Sequence, residues 1–420
     1  MEDNISKKSY RHFFYFLLGQ EFSVLGSSIV YFVISWWITV ETNNPIYLSF
    51  SSVLYILPQI IIAPIAGVLS DRLNRKYIII SIDAAQAIVT FGLFLVFFLK
   101  IANIWLVLSV NTLRSMLQAF HVPTFYSIVP SMVPKERLNR VNGINTLFTS
   151  LIYMVGPILG GSLYEILPIE LIFMIDIITF VIALIPLLFI TIPSVKTTKT
   201  AEHKTSFYED FITGLRTVKA VPGLLSLILL AMLINFIMRP FSDLMPYYIK
   251  NVHNGTPLNL AFVTVSIPVA NITGSIINTI KKNWKHKVFL IMFGTIMIFI
   301  GYSFLIFTPT GFFILLGIGL FIQGIAMNFI LNNYMTILQS CVPSDKVGRI
   351  ISLDHSLSFV IMPIGSLIGG PLALLIGITN LYLLCVISGI SISSLIWIFS
   401  DIHKLHYVEK DEIQINDQLK

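Results

Sequence analysis

The chain has 420 residues, 55% of them hydrophobic and 11% charged, with a net charge of +6. Soluble proteins carry about 25% charged residues, so this composition excludes a single soluble core and points to an all-α polytopic membrane protein. The cations fall in separate loops, which excludes a nucleic-acid partner, and the two cysteines, Cys341 and Cys385, point to neither a disulfide framework nor a metal site.

Lys7, Lys8 and Arg11 precede the first apolar run, from Phe13 to Val40. A signal-peptide core spans roughly 7–15 residues, so this longer run is expected to be a retained spanning helix. A span needs about 20 mostly apolar residues. Runs of that kind cover 12–40, 48–70, 77–99, 104–130, 142–165 and 170–192, then 223–249, 258–280, 287–307, 311–340, 348–376 and 380–400. The polar stretch between the sixth and seventh holds a segment, 206–221, with Phe207, Phe211, Leu215 and Val218 at helical spacing; it is expected to form an amphipathic helix along the membrane surface. The expected organisation is an N-terminal six-helix bundle (1–192), a cytoplasmic central loop (193–222), a C-terminal six-helix bundle (223–400) and a cytoplasmic tail (401–420).

Lys and Arg mark cytoplasmic loops. They recur after every second span: Arg72, Arg75 and Lys76; Lys135, Arg137 and Arg140; Arg216 and Lys219; Lys281, Lys282, Lys285 and Lys287; Lys346 and Arg349. The other connections and the spans keep only Lys100, Arg114, Arg239 and Lys250. Both termini are therefore expected in the cytoplasm. The halves also repeat: Val133-Pro134 and Val342-Pro343 precede the fifth and eleventh spans, and glycine pairs Gly160-Gly161 and Gly369-Gly370 follow at the same distance. Duplicated halves place a transport site at their interface.

The turn 67–76 clusters Asp71, Arg72, Arg75 and Lys76 between two apolar runs, which puts it at a membrane surface. With Gly67 it reads Gly-x-x-x-Asp-Arg-x-x-Arg-Lys and resembles the loop after the second span of the major facilitator superfamily of secondary transporters. Asn74 stands where that pattern has a second glycine, and the corresponding loop 281–285 has lost the acid and glycine. Gly156-Pro157 and Gly160-Gly161 in the fifth span resemble the Gly-Pro-x-x-Gly-Gly motif of drug/proton antiporters. The run Leu113 to Pro123, and Gly19-Gln20 followed by Ser23, resemble macrolide-efflux and enterobactin-exporter-type members. The resemblance implies twelve transmembrane helices in two pseudo-symmetric six-helix bundles, a small-molecule substrate, protons or sodium as coupling ion, no cofactor, and a monomer in the cytoplasmic membrane. It makes 67–76 a conformational latch, in which Asp71 pairs with Arg72 or Arg75 and reaches the start of the eleventh span. The alternative for the loop is topological, with its cations only holding it in the cytosol.

Glu21 and Arg114 each lie about ten residues into their spans, near mid-depth. Intramembrane charges are functional by default, so Glu21 is expected to bind a proton or a cationic substrate, with Arg114 gating it. The alternative is a static ion pair that fixes packing. Arg239 and Asp243 share a helix face in the seventh span and form either an outer gate pair or a self-neutralised pair. Asp83 and Asp176 are expected in structural roles, and His121 in packing or proton relay. The expected substrate cavity comprises Tyr31, Trp36, Phe120 and His121, with Asn235, Phe236, Gln323, Asn328, Asn332 and Asn333 from the second half; aromatic faces and amides suit a moderately apolar ligand. No Walker loop, nucleophile elbow or zinc-helix motif occurs, so the expected function is export of a hydrophobic or amphipathic drug-like molecule rather than an enzymatic one. Siderophore export, lipid flipping and a non-transporting receptor are the alternatives.

Overall fold

A computed structural model describes residues 7–193, 207–281, 284–342 and 347–405. The connector 194–206, the turns 282–283 and 343–346, and the tail from 406 onward fall outside the described residues, as do the side chains of Asp71, Phe207, Phe211 and Arg349. The described residues form helices without strands. The first six long helices are α1 (Lys7–Thr42), α2 (Pro45–Arg72), α3 (Arg75–Phe98), α4 (Ile104–Met132), α5 (Leu138–Ile166) and α6 (Ile169–Phe189). After α7 (Phe207–Ala220) come α8 (Leu224–Asp243), α9 (Met245–Asn251), α10 (Pro257–Ile280), α11 (Lys287–Phe307), α12 (Phe313–Ser340), α13 (Val347–Ile376) and α14 (Ile378–Phe399).

Local chemistry sets the helix starts. Asn44, Asn74 and Asn103 each accept a backbone N–H of the first turn, at 2.9–3.0 Å, and so cap α2, α3 and α4. Thr256 and Asn259 make a reciprocal capping box at α10, and Pro45 and Pro257 stand in the first turns of α2 and α10.

Eleven helices among the described residues are long and apolar enough to cross a membrane. The fourth span is not among them: Asn111, Arg114, Gln118 and His121 lower the hydropathy of α4, and α2 and α3 cover it instead. The seventh span also differs from the expected single run over 223–249. It breaks at Leu244 into α8 and α9, because Pro246 has no N–H to give to the preceding turn. The amphipathic segment is helical as α7; its buried Val218 packs toward the α8 and α13 side.

Antiparallel succession puts Arg72, Lys76, Lys135 and Lys285 at one end of the bundle, called here the basic face, and the turns 43–44, 99–103, 167–168 and 252–256 at the opposite face. Side chains such as Ile166, Phe189, Ile280, Leu375 and Phe399 are more than three-quarters exposed. Water would penalise such a surface and hydrocarbon does not.

Two helix sets result. In the first, α1 packs on α5 and α6, α2 on α4, and α3 on α4 and α6; in the second, α12 packs on α10 and α11, α14 on α8 and α11, and α13 on α8. The main seams between them are α5 against α10 and α2 against α13. Both close through a glycine. A Cβ on Gly161 would stand 2.9 Å from Pro257 O, and one on Gly370 would stand 2.9 Å from Pro45 O. The second glycine of each pair thus seats on the proline-led start of a helix in the other set, which is the duplication in three dimensions.

Candidate functional site

A cavity of about 450 Å³ lies between the two sets. On α1, Ser23, Ser27, Tyr31 and Ser35 line it at successive intervals of four. On α4, Asn111, Arg114, Gln118 and His121 do so at intervals of three and four, which is the helical repeat that keeps side chains on one face. Tyr55, Gln86 and Tyr153 complete the first-half wall, while Ser242, Pro246 and Thr264 come from the second half. A smaller cavity of about 70 Å³ shares Tyr31, Ser35 and Asn111 with it and reaches Ser52 and Asp243.

Arg114 does not pair with Glu21. Its NH2 stands 2.6 Å from Asp176 Oδ2, with Ser27 Oγ at 3.4 Å; Thr90 donates to Asp176 Oδ2 at 3.2 Å and Ser27 to Oδ1 at 3.3 Å. The reason is helical phase. Neighbouring residues of α1 point about 100° apart. Ser27 meets Asp176, whereas Ser28 meets Gly156 of α5. Glu21, seven before Ser28, returns to the α5 side, where Tyr153 is in its electrostatic range. Its Oε2 is buried without a hydrogen-bond partner, as is Arg114 NH1. Asp176 is therefore buried directly behind the cavity wall, held by two of its lining residues, Arg114 and Ser27.

Asp83 is likewise fully buried. It accepts from Gln20 Nε2 at 3.0 Å and lies 3.7 Å from His121 Nε2. His121 Nε2 is 2.5 Å from Gln20 Oε1, so the amide bridges carboxylate and imidazole. Gln20, Asp83, Asp176 and the serine stripe were absent from the expected site residues. Their signal was present as polar positions recurring at helical spacing within apolar runs.

Arg239 and Asp243 do form the expected pair, at 2.9 Å, and the contact extends across the seam. Ser52 of α2 donates to Asp243 Oδ1 at 2.8 Å and accepts from Arg239 NH2 at 2.9 Å; Arg239 Nε donates to Ser366 of α13 at 3.3 Å. Nearby, Lys250 Nζ donates to Thr39 O at 3.3 Å. The opposite face is thus closed by polar contacts between the two sets.

The remaining expected cavity residues divide. Tyr31 and His121 line the central cavity, while Asn328 and Asn332 line a separate groove. Trp36 packs in the apolar core, Phe236 packs against it, and Asn235 and Asn333 donate to backbone carbonyls of their own helices. Gln323 is buried against Gly301, and Phe120 lines neither space. Gly156 and Gly160 admit α1: a Cβ on the first would collide with Ser28 Oγ and one on the second would meet Phe32 Cδ1 at 2.9 Å, while Pro157 lines the cavity. At the basic face, Arg75 NH1 donates to Ser127 O at 2.9 Å and Lys76 Nζ to Ile190 O at 2.7 Å, and Arg72 is exposed. A Cβ on Gly67 or on Gly348 would meet nothing within 4 Å, so neither glycine is required there by a close helix approach as Gly370 is.

The chain matches the Major Facilitator Superfamily over residues 16–361. It belongs to that superfamily. Macrolide efflux protein A of Streptococcus pyogenes is 28% identical over 366 residues, covering 87% of this chain and 90% of that protein. Macrolide efflux protein A of Enterococcus faecalis is 28% identical over 314 residues, covering 75% and 97%. A solved bacterial homologue of the human lysosomal transporter Spinster, in an inward-facing and occupied conformation, overlays with a TM-score of 0.72 at 14% identity, covering 96% and 100%. This superfamily member is a multi-pass membrane transporter and not an enzyme. Its fold is the superfamily's twelve-helix arrangement in two six-helix bundles, and its partners are a small-molecule substrate and the lipid bilayer.

Proposed function

We propose that the chain is a secondary active exporter of hydrophobic or amphipathic small molecules of the macrolide type, working by alternating access and coupled to proton influx. The carrying observation is a central cavity walled by both helix sets, with charged side chains buried beside it and polar contacts between the sets closing one face. The basic loops make the basic face cytoplasmic, so the face closed by polar contacts is the outer one, and both termini lie on the cytoplasmic side of the membrane. Bundles 1–192 and 223–400 rock about the cavity, joined by the cytoplasmic loop 193–222 and followed by the cytoplasmic tail 401–420. The transporter works as a monomer.

In this reading Glu21 carries the proton, supported by its unpartnered Oε2. Arg114 acts through Asp176, and Arg239 with Asp243 responds at the outer seam. Gly67, Asp71, Arg72, Arg75 and Lys76 latch the cytoplasmic side when the cavity turns outward, while Gly156, Pro157, Gly160 and Gly161 keep α5 close to α1 and α10. The relatives named as macrolide efflux proteins support the substrate class.

The test is a susceptibility screen of a drug-sensitive host expressing the chain, with and without a protonophore. Macrolide resistance that collapses on uncoupling the proton gradient is expected. Resistance that survives it, but falls when a sodium gradient is removed, replaces the proton by sodium. No resistance to any macrolide overturns the substrate class in favour of siderophore, metabolite or lipid export.

A further inference from the structure

On α10, Thr264 lines the central cavity and Ser275, eleven positions later, lines a second one of about 510 Å³. Eleven helical residues advance about 16 Å and return to within about 20° of the same direction. The second cavity therefore continues the wall of the first toward the basic face, between the ends of α10 and α12. Among the described residues its lining carries no charged side chain. Ser275, Asn278 and Thr279 come from α10; Asn328, Leu331, Asn332 and Met335 come from α12.

These polar groups are held in place. Asn278 Nδ2 donates to Asn328 Oδ1 at 2.8 Å, and Asn328 Nδ2 donates to Ser275 Oγ at 3.1 Å and Asn271 O at 3.2 Å. Trp284 Nε1 donates to Asn278 Oδ1 at 3.0 Å, and Lys281 Nζ sits 4.0 Å from the Trp284 ring centroid. The Ser275 and Thr279 hydroxyls donate to the carbonyls of Asn271 and Ser275, both at 2.8 Å; Ser275 Oγ already accepts from Asn328, and Thr279 Oγ1 is left as an acceptor. The exposed Asn332 carboxamide offers a donor and an acceptor. Such groups are costly against lipid, so this face borders the aqueous opening. Leu331 and Met335 add an apolar edge.

We infer that this groove is a second binding site, for the uncharged, hydroxyl-bearing part of an amphipathic small molecule on its way between the basic face and the central cavity. With no counter-charge in its lining, it favours neutral groups, because a desolvated charge there would go unpaired. The inference rests on the transport reading above.

The test uses the full chain in lipid nanodiscs, with a macrolide and an alkyl glycoside as probes and Trp284 emission as the readout; Trp284→Phe identifies that residue's share of the signal. Both probes are expected to change Trp284 emission. Thr279→Val combined with Asn332→Leu, both at exposed positions, is expected to weaken the response about tenfold, as loss of one or two hydrogen bonds predicts. The KM for macrolide export should rise by a similar factor, with the maximal rate within about twofold. Macrolide export by the wild type with an unchanged KM in the double variant overturns the groove and leaves the transport reading standing. A Trp284 response that the double variant weakens, without export of either probe, overturns the transport reading and leaves a binding site. No Trp284 response to either probe overturns the groove.

Discussion

Arg114 and Asp176 meet at 2.6 Å with side chains 7% and 0% exposed, joining α4 to α6 beside the central cavity. A pair this buried is held by its partners: Ser27 and Thr90 complete the carboxylate, and one guanidinium nitrogen is left without an acceptor. Removing one member leaves an uncompensated charge, a loss of about 3–5 kcal/mol. Asp176→Asn and Arg114→Gln are each expected to lower the melting temperature and abolish export. The double variant should regain most of the thermal stability without regaining transport. Recovery of both in proteoliposomes would reduce the pair to a packing role.

Asp243 is bound to Ser52 across the seam between the helix sets. Ser52→Ala removes one hydrogen bond to each member of the Arg239–Asp243 pair, a loss of about 1.5–3 kcal/mol each for bonds to charged groups. It is expected to shift the population toward an open opposite face. An impermeant thiol reagent applied from that face should label Tyr31→Cys faster in the Ser52→Ala background. Unchanged labelling would mean that the seam is held by packing alone.

Gly161 and Gly370 each seat against a helix start of the other set. Alanine at either requires backbone to move, since a Cβ there would lie about 0.5 Å inside normal contact distance. Gly161→Ala and Gly370→Ala are expected to separate the seams at the opposite face to a similar degree. Spin labels placed across α5–α10 and α2–α13 would report the distances; an effect at only one seam would contradict the symmetry.

Glu21 has an unpartnered Oε2 inside the first bundle. Glu21→Gln keeps its volume and removes its charge. Loss of proton-driven export, with substrate exchange retained, is the expected outcome in vesicles. Normal proton-coupled efflux by this variant would move the coupling role to another carboxylate.

Asp71→Asn leaves every cation of the 67–76 loop in place. Membrane insertion should be unchanged and transport lost, as measured by reporter-fusion topology and drug efflux. Retained transport would leave the loop a purely topological role.

The twelve spans, the alternation of basic loops, the duplicated glycine pairs and the amphipathic α7 follow from local composition, because a bilayer demands long apolar helices and penalises charge within them. Those features required no knowledge of neighbours. Partner choice did. Glu21 and Arg114 have compatible depth and opposite charge, yet Ser27 and Ser28 diverge by one residue's rotation, so Arg114 meets Asp176 and Glu21 turns toward α5. The same holds for Asn328 and Asn332, which share amide chemistry with Asn235 but line a groove of their own. Depth and polarity are properties of a helix read alone; which face meets which neighbour depends on how the helices rotate and pack, and only the tertiary structure decided that.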